Sequence, residues 1–347
     1  MKHTLTLYLL ASTALCATGC DDDGGSASDP GMVEPDAAAH AADSGVGAHD
    51  AEVESVDSTI DNETDSTVEP ADAEMMIEDP EPLPTTFGGD RPVELWVPDD
   101  YDPAEPRPLF VLLHGYFRNP DYILDGFRAQ ALFETSGALM MAPDGQANPE
   151  GEHYWNAAPA CCDFFRSGVD DVAYLGGLIE EVQGVYNVDP KRIYVMGHSN
   201  GAFMSMRLAC ERADLVAAVI SVAGAAAPAD CTPSEPVSVL HAHGESDEVI
   251  AYAGGRILGS SYPGAEATVA QWAGADFNGC SAETEALESV DYSLVEPGAE
   301  TRVIQYTGCP EGIGVELWTH PNGPHAPQLS EAVPGLWTDW LMAHPKP

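Results

Sequence analysis

The stretch RIYVMGHSNGAFMSMRLAC occupies Arg192–Cys210 of a 347-residue chain. Its β-prone run Ile193–Met196 meets the pentad Gly197-His198-Ser199-Asn200-Gly201, and a helix-like segment follows at once. A strand that turns this sharply into a helix forces the central serine into a strained backbone conformation. The neighbours must then be small, and Gly197 and Gly201 meet that need. The turn presents a hydroxyl at the amino end of a helix, where free backbone N–H groups favour a developing negative charge. The pentad G-x-S-x-G alone recurs by chance. Set between a β-run and AFMSMRLAC, it marks Ser199 as a candidate nucleophile.

A serine is a weak nucleophile without a base, and the base needs an acid to orient it. On a strand–turn–helix scaffold of this kind the expected chain order is Ser, then Asp or Glu, then His. VLHAHGESDEVIAY (Val239–Tyr252) offers Asp247 just beyond a predicted strand, with Glu245 and Glu248 as competitors. VELWTHPNGPHAPQLS (Val315–Ser330) offers two histidines. His320 adjoins the strand and is expected to point into packing or solvent. His325 sits in a Gly/Pro-rich loop able to bring its ring over Ser199, so it is the expected base. His198, His241 and His243 lie in or beside strand ends and read as structural hydrogen bonders. An oxyanion hole needs two N–H donors: the residue after the serine, Asn200, and Tyr116 in the loop after FVLLHG (Phe110–Gly115). His114 of that HG pair is expected to shape the turn.

Seven apolar runs read as strands: Val93–Val97, Pro108–Leu113, Ala138–Ala142, Arg192–Met196, Val216–Val222, Val237–Ala242 and Val315–Thr319. Several lack alternation, as strands buried on both faces of a parallel sheet do. Helical patterns lie between or after them at Asp121–Ser136, Gly168–Tyr186, Glu266–Asn278 and Ser330–His344. In the second, Val172, Leu175, Leu178, Ile179 and Val182 share one face. Such alternation predicts an α/β fold, a mostly parallel twisted sheet with helices on both faces, within one domain over residues 86–347. Chemistry is expected at the carboxyl ends of its strands.

The chain carries 57 acidic against 13 basic residues, a formal net charge of −44. That charge repels nucleic acid and anionic lipid, so neither is an expected partner. Lys2 and His3 precede the short apolar run Leu5–Ala17, which reads as an export signal over residues 1–19. It closes with Ala17-Thr18-Gly19-Cys20, which is similar to a bacterial lipobox and makes Cys20 the expected lipidation site. An ordinary signal peptide is the alternative. Residues 20–85 follow as an acidic linker; from Asp21 to Thr85 there are 20 acids and no lysine or arginine. With so few large apolar residues the segment cannot offset its ordering entropy, and a disordered tether is predicted. The protein is therefore expected to be exported, either lipid-anchored to a bacterial cell envelope or free. The N-terminal lipid is the one expected membrane attachment.

Six cysteines follow the linker: Cys161, Cys162, Cys210, Cys231, Cys280 and Cys309. In an exported chain an even number suggests disulfides. Adjacent cysteines rarely bond to each other, so the expected pattern joins Cys280 to Cys309 and the adjacent pair to Cys210 and Cys231. No CxxC or Cys/His pair with zinc-finger spacing occurs, and no metal site is expected.

LLHGY, APDG, YWNAAPACCD, GVDDVAYL, VDPKRIYVMGHSNGAFMSMRLAC, HGESDEVIAYAGG and the NGC…TGC pair occur in this order. Together they resemble the polyhydroxybutyrate depolymerase and feruloyl esterase group, within carbohydrate esterase family 1 of the α/β-hydrolases. The likeness runs from Pro92 to Trp340. It implies an α/β-hydrolase fold and cofactor-free serine esterase chemistry, with Ser199 as nucleophile, Asp247 as acid and His325 as base. Where such relatives tend to place an aromatic after the histidine, this chain reads NGPHAPQ, which alters one wall of the pocket. Trp155 of YWNAAPACC is a candidate platform for an aromatic acyl group or a sugar, or else a core residue. The expected substrate is a carboxylic ester: a feruloyl or acetyl ester of plant polysaccharide, or a short polyhydroxyalkanoate. A monomer is expected. A non-catalytic binding lipoprotein on the same scaffold, and a peptidase or acyltransferase with the same triad, are the rival readings.

Overall fold

A computed structural model describes residues 82–226 and 231–347. The expected export signal, Cys20 and nearly all of the acidic linker lie outside the described residues.

The described chain begins with β1 (Thr86–Phe87), β2 (Val93–Trp96) and β3 (Arg107–Leu113), then α1 (Pro120–Gly126) and α2 (Ala129–Ser136). Next come β4 (Leu139–Met141), the small pair β5 (Gln146–Ala147) and β6 (His153–Tyr154), and α3 (Asp171–Val185). They are followed by β7 (Val188–His198), α4 (Asn200–Glu211), β8 (Ala218–Val222) and β9 (Ser238–Gly244). A hairpin, β10 (Gly254–Ile257) and β11 (Ser260–Pro263), leads into α5 (Ala265–Ala273). The chain closes with β12 (Thr284–Ala286), β13 (Arg302–Tyr306), β14 (Val315–His320) and α6 (Val333–Ala343).

Ten strands make one sheet in the order β1-β2-β4-β3-β7-β8-β9-β14-β13-β12. From β4 to β14 every pairing is parallel. The outer strands are antiparallel. Each central strand divides its side chains between two cores. Leu109, Val111 and Leu113 of β3 join α3, α4 and α5 on one face. Phe110 and Leu112 join α1, α2 and α6 on the other. This is the period-two geometry of a strand covered on both sides, and it explains why the sequence showed unbroken apolar runs.

The chain runs outward from β3 to β4, then returns to place β7 on the other side of β3. Strand order therefore reverses between β3 and β7, and the crevice beyond their carboxyl ends is where such folds bind ligands. Leu113 of β3 lies beside Gly197 of β7, so the HG loop and the GHSNG turn leave the sheet side by side.

All seven expected strands are present, and the five expected apolar positions of α3 are buried. The outer strands β12 and β13 were not anticipated: Thr284–Ala286 is exposed throughout, and Arg302–Tyr306 buries only Val303. The expected helix over Asp121–Ser136 is two helices. Arg128 takes the left-handed conformation, with φ 52°, and separates α1 from α2. Cys280 bonds Cys309 as expected. The remaining pairing is corrected: Cys210 bonds Cys231, and Cys161 bonds its neighbour Cys162. Cys210, at the end of α4, has Cys231 at a Cα separation of 6.2 Å, within ordinary disulfide reach, and this leaves the adjacent pair to each other.

Candidate active site

Ser199 stands between β7 and α4 with φ 55° and ψ −118°, the strained conformation read from its glycine neighbours. Those glycines are required sterically. A Cβ on Gly197 would strike the Gly201 carbonyl, and one on Gly201 would strike the Leu113 carbonyl of β3. The strained residue is tied to the sheet by its own N–H, which donates to Val222 O at 2.8 Å. Its carbonyl accepts from Ala202 and Phe203, so α4 begins on the serine itself. Ser199 is largely buried, with 9% exposure.

His325 comes from the loop after β14. Its Nε2 lies 2.9 Å from Ser199 Oγ, and its Nδ1 lies 2.8 Å from Asp247 Oδ2. Three ties hold this loop in place. Glu245 N–H donates to His320 O at 3.0 Å, and Ser246 N–H donates to Gly323 O at 3.1 Å. From the other side, His198 Nε2–H donates to the His325 carbonyl at 2.8 Å. Gly244 and Gly323 make the approach of the two loops possible, since a Cβ on Gly244 would strike the Gly323 carbonyl.

The Asp247 carboxylate is completely buried. Its Oδ1 accepts the N–H groups of Val249 and Ile250, each at 2.8 Å. Its Oδ2 faces His325 and, at 3.2 Å, His243 Nε2. Burial alone would raise its pKa. The hydrogen bonds from His243 and His325, the charge on His325 and the Ile250 N–H outweigh burial and hold the carboxyl well below the usual range. Of the two competitors, Glu245 pairs with Arg302 at 2.8 Å near the surface and Glu248 is exposed. Neither reaches His325.

The first N–H groups of a helix have no acceptor within it. Asn200 opens α4, and neither its N–H nor that of Tyr116 meets an acceptor among the described residues. The Asn200 side chain does other work: it accepts from Trp155 N–H at 2.7 Å and donates to Trp155 O at 2.9 Å. This two-point clamp was not read from the sequence, where Asn200 was considered only for its backbone. His114 has the architectural role expected of it. Its Nδ1–H donates to Gly115 O at 2.8 Å and its Nε2 accepts from Gly145 N–H at 2.9 Å. Gly115 in turn lies against the Ser199 side chain.

Of the two readings of Trp155, the core residue is the one found, and the ligand platform is corrected. The residue is fully buried, with its indole N–H donated to His114 O at 3.0 Å. The clamp from Asn200 draws it inward, so it supports the HG loop and offers no face to a ligand. The exposed aromatic beside the site is Phe117, 53% exposed, whose ring packs on Tyr116 at a centroid separation of 3.9 Å. His320, expected to point into packing or solvent, is buried. His198 is buried as well, and burial followed by the His325 charge pushes its pKa down to about 4, so it serves as a neutral donor. What the sequence did not disclose is that His243, four residues before Asp247, reaches the same carboxylate oxygen as His325. The i,i+4 spacing across HAHGESD was the available signal.

The parallel core, the strand-to-helix serine turn and the placement of the three side chains define an α/β-hydrolase fold. An acetyl xylan esterase from Aspergillus awamori shares it, with a TM-score of 0.51 at 15% identity over 73% of this chain and 94% of that one. The esterase PHB depolymerase family matches residues 94–295, and the chain belongs to that family. Feruloyl esterase B of Piromyces equi is 29% identical over 246 residues, which are 68% of this chain and 42% of that protein. Feruloyl esterase D of Neurospora crassa is 26% identical over 265 residues, 72% of this chain and 77% of that protein. The chain thus spans less than half the length of some of the curated relatives it matches.

Proposed function

We propose that this chain is an exported serine esterase that hydrolyses carboxylic esters through Ser199, His325 and Asp247. The observation that carries the reading is the unbroken row of hydrogen bonds, 2.9 Å from Ser199 Oγ to His325 Nε2 and 2.8 Å from His325 Nδ1 to Asp247. In the first half-reaction Oγ bonds to the ester carbonyl carbon while its proton passes to Nε2. The oxyanion formed accepts from the N–H groups of Asn200 and Tyr116. The C–O bond to the alcohol then breaks, and the alcohol leaves with the proton from Nε2. Water repeats the sequence on the acyl-serine: its proton goes to Nε2, and the acid departs as Oγ recovers it. Asp247, held anionic, keeps the Nδ1–H tautomer and balances the imidazolium in both halves.

Esters of plant polysaccharide, feruloyl or acetyl, are the substrates best supported by the similarity to feruloyl esterases. The exposed ring of Phe117, tilted against Tyr116 next to an oxyanion donor, offers an aromatic acyl group a surface and favours the feruloyl case. Short polyhydroxyalkanoate esters come second. Disulfides among the described cysteines suit an oxidising compartment, and this supports export. Lipid attachment at Cys20 and a tether over residues 20–85 complete the proposal, with residues 86–347 as a monomeric catalytic domain.

Ser199→Ala tests the core of it. Hydrolysis of p-nitrophenyl acetate should fall by at least about a thousand-fold while the far-UV spectrum is unchanged. Undiminished turnover by that variant ends the assignment. Rates on methyl ferulate, acetylated xylan and hydroxybutyrate oligomers then rank the substrates, with methyl ferulate expected first.

A further inference from the structure

Beside Asp247 stands a buried row of polar side chains that no step of the hydrolysis uses. It consists of Ser221 on β8 with His241 and His243 on β9, none more than 3% exposed. His243 Nε2 lies 2.8 Å from Ile250 O and 3.2 Å from Asp247 Oδ2. Both of those oxygens only accept, so Nε2 carries a hydrogen. Its Nδ1 faces His241 Nε2 at 3.2 Å, and Nδ1 is taken as the acceptor of that bond. His241 Nε2 then donates, and its Nδ1 accepts from Ser221 Oγ at 3.1 Å. Burial, and after it the neighbouring His243, holds the His241 pKa well below the ordinary value, which keeps that ring neutral. With Nδ1 of His243 as the acceptor, one arrangement of hydrogens satisfies every bond and points from Ser221 towards Asp247, whereas a His243 carrying hydrogen on both nitrogens would reverse the donors towards Ser221.

The other groups around this row are few. Tyr252 stands edge-on to His243 at 5.6 Å between ring centroids. His320 and Tyr292 face His243 across a small enclosed cavity. His325 lies beyond the carboxylate, and His198 reaches it only through the His325 carbonyl. Burying three polar side chains where apolar ones would fill the space is costly unless their hydrogen bonds are directed to an end. Here the end is the oxygen shared with the base.

We propose that Ser221, His241 and His243 form a one-way chain of donors that fixes Asp247 as the acceptor for His325, with His243 as the positioning residue in contact with it. The inference rests on the triad reading above. The His243 N–H takes up part of the charge on Oδ2 and fixes the angle at which that oxygen meets His325. It thereby sets how strongly the pair holds the imidazolium, and so the pH below which the base is lost.

Two measurements test this, with p-nitrophenyl acetate as substrate. In His243→Leu, kcat should fall about tenfold with KM changed less than about twofold, the range seen when outer-shell partners are lost. The acid limb of kcat/KM should move to higher pH, because a carboxylate missing one donor stabilises the imidazolium more. His243→Gln, whose amide can reach the same oxygen, should restore most of kcat and the original limb. Wild-type kcat and an unshifted limb in His243→Leu overturn the proposal. Should that variant fail to fold, ¹⁵N imidazole spectra of the unmodified protein decide. His241 and His243 must both be neutral Nε2–H tautomers between pH 6 and 8, and an Nδ1–H or doubly protonated form of either overturns the chain. An inactive Ser199→Ala beside an unaltered His243→Leu removes this inference alone. An active Ser199→Ala removes the triad reading, leaving the tautomers to be judged separately.

Discussion

The two halves of the site are held by different physics. On the β3–β7 side, Ser199 and the Tyr116 and Asn200 N–H groups are fixed by backbone: a strained φ, a helix start and two glycines whose neighbours leave no room for a Cβ. On the β9–β14 side, two backbone bonds and the close approach at Gly244 bring the loops together, and side-chain hydrogen bonds then aim Asp247 and His325. Backbone geometry admits one arrangement or none. Side-chain hydrogen bonds can be lost singly, so the second half should yield by degrees where the first fails outright. It follows that the acid–base half can be damaged without disturbing the elbow.

Asp247→Asn is the strongest expression of that difference. An amide in place of Oδ2 can donate to His325 Nδ1, which forces the ring into the tautomer that cannot take the serine proton at Nε2. A loss of about 10⁴ in kcat is expected, the scale known for this change in a Ser-His-Asp triad. The elbow should be intact, so the denaturation midpoint should stay close to the wild-type value. A variant that retains a tenth of wild-type kcat would show that Asp247 does not orient the base.

The same division governed what could be read from the letters. Ser199 was legible because its constraints are local: the strand run, the two glycines and the helix fall within Arg192–Cys210. Asp247 and His325 were legible through chain order and the strand ends before them, and through a family likeness. The central strands were legible because burial on both faces demands continuous apolar runs. Trp155 was not, because its position depends on the Asn200 amide, 45 residues away. The outer strands β12 and β13, with few buried side chains, carried no such pattern. The Cys161–Cys162 bond escaped notice because a general expectation about adjacent cysteines was applied without knowing that Cys231 lies within reach of Cys210.

His198 joins the two halves, and pH should expose it. The sign follows from its lowered pKa. In the unfolded chain it protonates near its ordinary value of about 6.5. In the folded protein it resists until about pH 4. Between those values the unfolded state binds the extra proton, so the contribution of His198 to stability is whole above about pH 6.5 and is lost as pH falls towards 4. The loss amounts to roughly 3 kcal/mol for a group so buried. Thermal unfolding should show the wild-type midpoint dropping across this window. His198→Gln keeps an amide donor for the His325 carbonyl and cannot titrate, so its midpoint should decline less steeply. His241, also held neutral by burial, accounts for part of the slope that remains. An identical slope in the variant would mean that His198 is protonated in the folded protein.

The smallest effect belongs to Glu245, and it sharpens the choice of acid. Glu245 stands two residues from Asp247 in the same segment and competed with it for the role on sequence grounds. In the fold its carboxylate turns outward to Arg302 at 2.8 Å, with side-chain exposures of 39% and 54%. An ion pair this open to solvent contributes under about 1 kcal/mol, because water and salt screen it. Its backbone N–H does hold the His320 carbonyl, but no side-chain substitution removes that bond. Glu245→Gln should therefore leave kcat within about twofold of wild type and the unfolding midpoint nearly unmoved. The two acids differ in one respect that matters: each Asp247 oxygen meets two donors, whereas the Glu245 carboxylate faces Arg302 near the surface. A large loss of kcat in Glu245→Gln would mean that this loop rearranges in solution to present the other carboxylate to His325, and the assignment of the acid would have to be reversed.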